Sequence, residues 1–231
     1  MVNYTIKQYL KPLFVLILLE VFLVLIYLLG IVLRGQAFSP FDLDGQMTIP
    51  SCLQALQLFL IGLLSLALVF VGRNSSQPPT KIFALTVALL FFYASIDELF
   101  KVHLQLHTLL PTIEHRDWQG VYLAIGVTTI ILFFRDFIAL WHFHRKSTLM
   151  MVLGIGIFVL GGFGLEIFKD AFLSSIVGLF VNQGNLIPLL VEKLRVAVEE
   201  FSEMLGESLI LYGLCLFFAK RLVQEGRMKS R

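Results

Sequence analysis

Asp97 and Glu98, Glu166 and Asp170, and Glu199, Glu200, Glu203 and Glu207 fall in three segments that are otherwise strongly apolar. An ionised carboxylate is costly in hydrocarbon, so such residues face a bundle interior, pair with something and mark a functional pathway. Glu200, Glu203 and Glu207 recur at intervals of three and four and form one stripe on a helix, while Glu199 stands four residues before Glu203. Like charges at that spacing repel. The stripe therefore requires a cation, bound protons or basic partners, and Lys101, Lys169, Arg195 and the histidines are the candidates.

The chemistry that fits is a divalent metal site of Asp97, Glu98, His103, Glu166, Glu199, Glu200, Glu203 and Glu207 near the extracytoplasmic side. Carboxylate-rich sites suit magnesium, calcium or manganese, and added imidazole suits iron or zinc. Such an ion could activate water for hydrolysis of a lipid-borne group. His103 and His107 are four apart and share a face on a continuous helix, as two ligands would; the same spacing suits an interfacial ring with a polar tip. Asp97 and Glu98 do not lie on that face. A di-iron oxidase does not fit, because Glu114 and His115 are in a loop and no Glu-x-x-His pair lies within an apolar segment.

Two other classes compete. A cation- or proton-coupled transporter predicts acids distributed through the membrane depth, and Glu20 is the one acid in the inner half of an apolar core. A non-catalytic scaffold or assembly factor would use the polar cluster for helix–helix specificity.

The elements that must position these residues follow from composition. Of 231 residues, 58% are apolar and 15% charged, which excludes a disordered chain and is too apolar for an ordinary soluble domain. Six stretches approach the roughly 20 residues needed to cross a bilayer: 12–33, 50–72, 82–102, 118–140, 149–170 and 196–219. The expected fold is all-α, a single polytopic membrane bundle over 1–231 with about six transmembrane helices and the lipid bilayer as its medium. The first stretch follows Lys7 and Lys11 but is too long for a signal-peptide core and lacks a cleavage site before Arg34, so it reads as a retained anchor. Basic residues sit at segment ends without clustering, which gives no footprint for nucleic acid. Cys52 and Cys215 are too few for a disulfide framework or structural zinc site.

Lys and Arg resist translocation, so their distribution sets orientation. With the N-terminus inside, Lys7, Lys11, Arg73, Lys81, Arg135, Arg145, Lys146, Lys220, Arg221, Arg227, Lys229 and Arg231 are cytoplasmic, which is 12 of 18. Arg34, Lys101, Arg116, Lys169, Lys193 and Arg195 are the opposite six. Both termini are thus expected in the cytoplasm. Helix rise places Asp97 and Glu98 about 24–26 Å from Lys81, Glu166 about 26 Å from Leu149, and Glu207 and Glu203 about 20 and 26 Å from Lys220. Three segments put acids in one layer.

The remaining stretches carry local signals. In the loop after the first helix, Asp42 and Asp44 precede Gly45, but the other acids of a calcium loop are missing, so an Asx turn is expected, with Pro50 opening the second helix. Arg135 and Asp136 are expected to pair with neighbouring helices. Gly154, Gly156, Gly161, Gly162 and Gly164 permit close helix approach beside Glu166. Asn182, Gly184, Asn185 and Pro188 break the chain, and 188–222 reads as one helix about 50 Å long.

FDLDG at 41–45, SIDE at 95–98 with His103 following, and EEFSEMLG at 199–206 together resemble a broad set of uncharacterised bacterial multi-pass membrane proteins. The resemblance implies a bacterial-type inner-membrane location and that the three elements belong to one design. It brings no activity. In that pattern an acid commonly follows the His, where this chain has Leu104.

Overall fold

Leu13, Glu20, Leu23, Tyr27 and Ile31 recur at helical spacing along α1 (Ile6–Arg34), and all five are buried. Phe14, Leu18, Phe22, Leu25 and Leu29, on its other faces, are 51–63% exposed. An apolar surface of that extent would be a liability in water and is the expected dress of a helix in lipid. The computed structural model describes residues 6–71, 79–105, 118–167 and 186–229. Among them every regular element is helical.

The elements after α1 are α2 (Ile49–Val71), α3 (Lys81–Phe100), α4 (Trp118–Leu132), α5 (Phe134–Phe143), α6 (Arg145–Ile157) and α7 (Leu186–Lys229). A π-helical stretch, Phe158–Phe163, and a final turn, Gly164–Ile167, continue α6. Five helices are long and apolar enough to cross a membrane, and a sixth span results if α4 and α5 count as one. The chain divides into two compact units, 1–54 with 154–208 and 55–153 with 209–231.

In the first unit α1 ends at Gly35, whose φ of +72° and N–H bond to the Ile31 carbonyl (2.8 Å) make a left-handed stop. The chain then returns across Gly30, where an added Cβ would stand 2.9 Å from the Phe38 nitrogen. This return delivers Leu43 into a core with Leu23, Tyr27, Ile31, Val196, Ala197 and Met204. The expected Asx turn is closed by backbone: Gly45 N–H donates to the Asp42 carbonyl at 3.3 Å. Thr48 and Ser51 exchange bonds at the start of α2, Thr48 N–H to Ser51 Oγ at 2.8 Å and Ser51 N–H to Thr48 Oγ1 at 3.4 Å. This is a reciprocal cap, and Pro50 is the second residue of the helix.

Of the glycines expected to allow close approach, Gly161 and Gly162 do so, against Ser202 and Glu203, whereas Gly156 has open space around it. A Cβ on Gly206 of α7 would stand 2.7 Å from the Gly154 carbonyl and 2.8 Å from Phe158 Cβ, while one on Gly162 would meet Glu203 Cγ at 2.5 Å. Backbone cannot yield at Gly206 as a flexible side chain could. Gly206→Val is expected to destabilise by about 1–3 kcal/mol in thermal unfolding, whereas Gly226→Ala, with open space around it, should be neutral or better.

In the second unit Thr80 caps α3 by accepting from Phe83 N–H at 3.3 Å, and it also binds Asp136. Its N–H donates to Asp136 Oδ1 at 2.6 Å and its hydroxyl to Oδ2 at 3.1 Å. Phe83 packs edge-on against Phe133 and Phe137, with centroids 5.4 and 5.2 Å away. These contacts hold the start of α5 and explain a departure from expectation. The segment 118–140 is not one straight helix but bends by 67° at Phe133. Neither Pro nor Gly marks the bend; tertiary contacts make it. The last helix is longer than expected, 44 residues, or about 66 Å at helical rise.

Candidate functional site

The buried stripe of α1 places a carboxylate where an apolar residue is normal. Glu20 is fully buried, and the equally buried Ser208 of α7 donates its hydroxyl to Glu20 Oε1 at 2.6 Å. Glu207, 2% exposed, is the neighbouring residue on α7. Two turns nearer the start of α7, Glu200 is also buried and accepts from the Nε2 of Gln54 on α2 at 3.3 Å. From Glu200 to Ser208 is about 12 Å of helix. The first unit therefore carries buried carboxylates at successive levels along α7.

Nearer still to the start of α7, Arg195 pairs with two acids. That guanidinium forks onto Glu192, Nε and Nη2 each at 3.1 Å, and its Nη1 donates to Glu199. Planar bidentate pairing of this kind suits arginine. Glu203 is half-buried against Gly162 of the π-helical stretch, a backbone irregularity frequent at functional sites.

The second unit holds a separate arrangement at the end of α3. Lys101 takes the left-handed conformation, φ 47°, and a 3₁₀ turn, Val102–Gln105, follows. This reversal brings His103 back onto Asp97. The His103 N–H donates to Asp97 Oδ1 at 2.6 Å, and its Nδ1 lies 2.8 Å from Oδ2. A carboxylate on Nδ1 fixes tautomer and ring orientation, as in metal-bound and catalytic histidines. Tyr122 packs edge-on against His103, centroids 6.3 Å apart, and donates its hydroxyl to that of Tyr93 at 3.0 Å. Lys101 Nζ binds Glu98 Oε1 at 2.9 Å.

At the junction of α5 and α6, His144 Nδ1 is buried with no hydrogen-bond partner. Burial, then Lys220 and Lys146, lowers its pKa from the ordinary 6.5. The unfolded chain then binds the proton more readily, so this contribution to stability is complete above pH 6.5 and is lost as pH falls below it. Thermal unfolding of His144→Gln should show a shallower loss of stability on acidification than wild type. An identical slope would remove His144 from this account.

Residues 13–219 match the family described as Domain of unknown function (DUF8692). The chain belongs to that family. No curated protein and no solved structure matches it.

Within this DUF8692 chain the sequence-derived site residues divide. Glu199, Glu200, Glu203 and Glu207 belong to the first unit; Asp97, Glu98 and His103 belong to the second. The Glu166 side chain and His107 lie outside the described residues. The shared face expected for His103 and His107 is corrected by the end of α3 at Phe100: His103 leaves the helix and joins Asp97, from which helical spacing had separated it. Among the described residues no three His, Cys, Asp or Glu side chains gather as they would around a metal ion. Two of the basic candidates do serve the acids, Lys101 for Glu98 and Arg195 for Glu199. Sequence reasoning missed Ser208, Gln54 and Tyr27 as site residues. Their signal was phase: Glu20 and Tyr27 share one stripe of α1, and Gln54 is a polar residue inside a 23-residue apolar helix.

Proposed function

We propose that this chain is a multi-pass membrane protein that takes up protons or a cation at carboxylates buried in its first unit and moves them across the bilayer. The observation that supports the reading is Glu20. It is completely buried midway along a membrane-length apolar helix and bonded to Ser208 of another. With Glu207 beside Ser208 and Glu200 two turns away on α7, it gives acids at two depths, as a transport path requires and a single site does not. In proteoliposomes carrying an internal pH dye, wild type should collapse an imposed proton or cation gradient faster than empty vesicles. Glu207→Gln should lose most of that rate and Glu225→Gln none. Equal rates in wild-type and empty vesicles would end the transport reading.

The orientation proposed is a bacterial-type inner membrane with both termini cytoplasmic, supported by the 12-to-6 basic asymmetry. Cysteines introduced at Ser75 and Thr112, both outside the described residues, should label from opposite sides, Ser75 from the cytoplasm. Labelling of both from one side contradicts it.

A divalent metal, activating water for hydrolysis of a lipid-borne group, is the second reading. One observation favours it, the imidazole of His103 oriented by Asp97 in the manner of a metal-bound histidine. Stoichiometric metal in the purified protein, lost in His103→Ala, would move this reading to first place.

A further inference from the structure

Gln54 is fully buried, and its amide orientation is fixed by chemistry. Only the amide nitrogen can donate to the Glu200 carboxylate, so Nε2 occupies that bond and Oε1 is left for another partner. That Oε1 is buried without a hydrogen-bond partner. Tyr27, also fully buried, has a hydroxyl in the same condition, and Glu200 is among the carboxylates within electrostatic reach of it. Buried polar atoms in native proteins are satisfied in the great majority of cases, so two such oxygens within electrostatic reach of one buried carboxylate call for an explanation, ordered water or a bound ion.

The chemistry of the donors narrows the occupant. Gln54 Oε1 is an acceptor only, Glu200 is an acceptor when ionised, and the tyrosine oxygen can accept or ligate. A cation is therefore the complement. Oxygen ligands select hard ions, and carbonyl oxygens replace the hydration shell of alkali cations in membrane proteins. A ligand set of one carboxylate, an amide carbonyl and a phenol suits an alkali ion, while divalent sites add further acids to the ligand set. Asp42, Asp44 and Glu192 also act on Tyr27, with Glu192 paired to Arg195.

We infer that Glu200, Gln54 and Tyr27 form a binding site for a dehydrated alkali cation of sodium's kind. The inference rests on the transport reading and names its coupling ion. The site lies where α1, α2 and α7 contribute to the first unit, with Leu43 and Met204 sealing the core beside it. Binding there would fasten the start of α2 to α7 through Gln54.

The test uses the full chain in detergent, with thermal unfolding followed in sodium chloride against choline chloride at equal concentration and fixed pH. A ligand that binds only the folded state raises its population about 100-fold at 100 times Kd, so the midpoint should climb with sodium and not with choline. Tyr27→Phe removes one ligand oxygen with little change in packing and should shift the sodium response to several-fold higher concentration. Gln54→Leu should abolish it. Equal midpoints in the two salts mean that ordered water fills the site, and overturn the inference. With no sodium effect, a pH dependence of the midpoint that Glu200→Gln removes assigns a proton to Glu200, which overturns the inference and leaves proton transport standing. Sodium stabilisation that survives unchanged in both variants places the ion elsewhere and overturns it too.

Discussion

Asp97→Ala should lower the stability of the second unit by on the order of 3 kcal/mol, because it removes two short bonds at once. Asp97 accepts from the backbone of His103 at 2.6 Å and binds its ring at 2.8 Å, with both side chains largely buried. Those bonds hold the chain in the reversal after Lys101, a residue kept at positive φ, which a β-carbon resists. His103→Ala should cost about half as much, since the backbone bond to Asp97 survives. Hydrogen exchange read at 101–105 should speed up in Asp97→Ala and much less in His103→Ala. Equal effects of the two would mean that the ring, not the carboxylate, secures the turn.

Ser208→Ala is expected to cost about 1.5–3 kcal/mol, the range for a hydrogen bond to a charged group. The hydroxyl lies 2.6 Å from Glu20 Oε1, and both residues are fully buried, so no solvent replaces the lost donor. Ser208→Thr keeps the hydroxyl and should retain part of that stability, limited by room for its methyl. Glu20→Gln, a near-isostere with an amide, should fold and bear on function more than stability. Thermal unfolding of purified Ser208→Ala at or above the wild-type midpoint would show that the Glu20 contact contributes nothing.

Much of the scaffold was legible because lipid imposes a simple rule: apolar runs of spanning length became helices at nearly the expected places. Gly161 and Gly162, and Pro50 at the start of α2, acted as their local physics dictates. The bend at Phe133 was illegible, since Asp136 and Thr80 are 56 residues apart and no local breaker lies between Leu132 and Phe134. The turn at Lys101 was missed for a related reason. Its left-handed residue is neither Gly nor Asn, and the carboxylate that stabilises it lies four residues upstream in the helix. Among the acids, repetition on α7 was visible, whereas the partner of Glu20 was not: Ser208 is 188 residues away and looks like an ordinary small residue in an apolar helix.

Transport of the proposed kind requires the buried carboxylates of the first unit to change their proton or cation occupancy. Infrared difference spectroscopy reads it most directly, as the pH of the reconstituted protein is stepped from mildly alkaline to mildly acid. Wild type should gain a carboxylic-acid carbonyl band that is diminished in Glu20→Gln and in Glu207→Gln. A spectrum with no such band, or one unchanged in both variants, would contradict it.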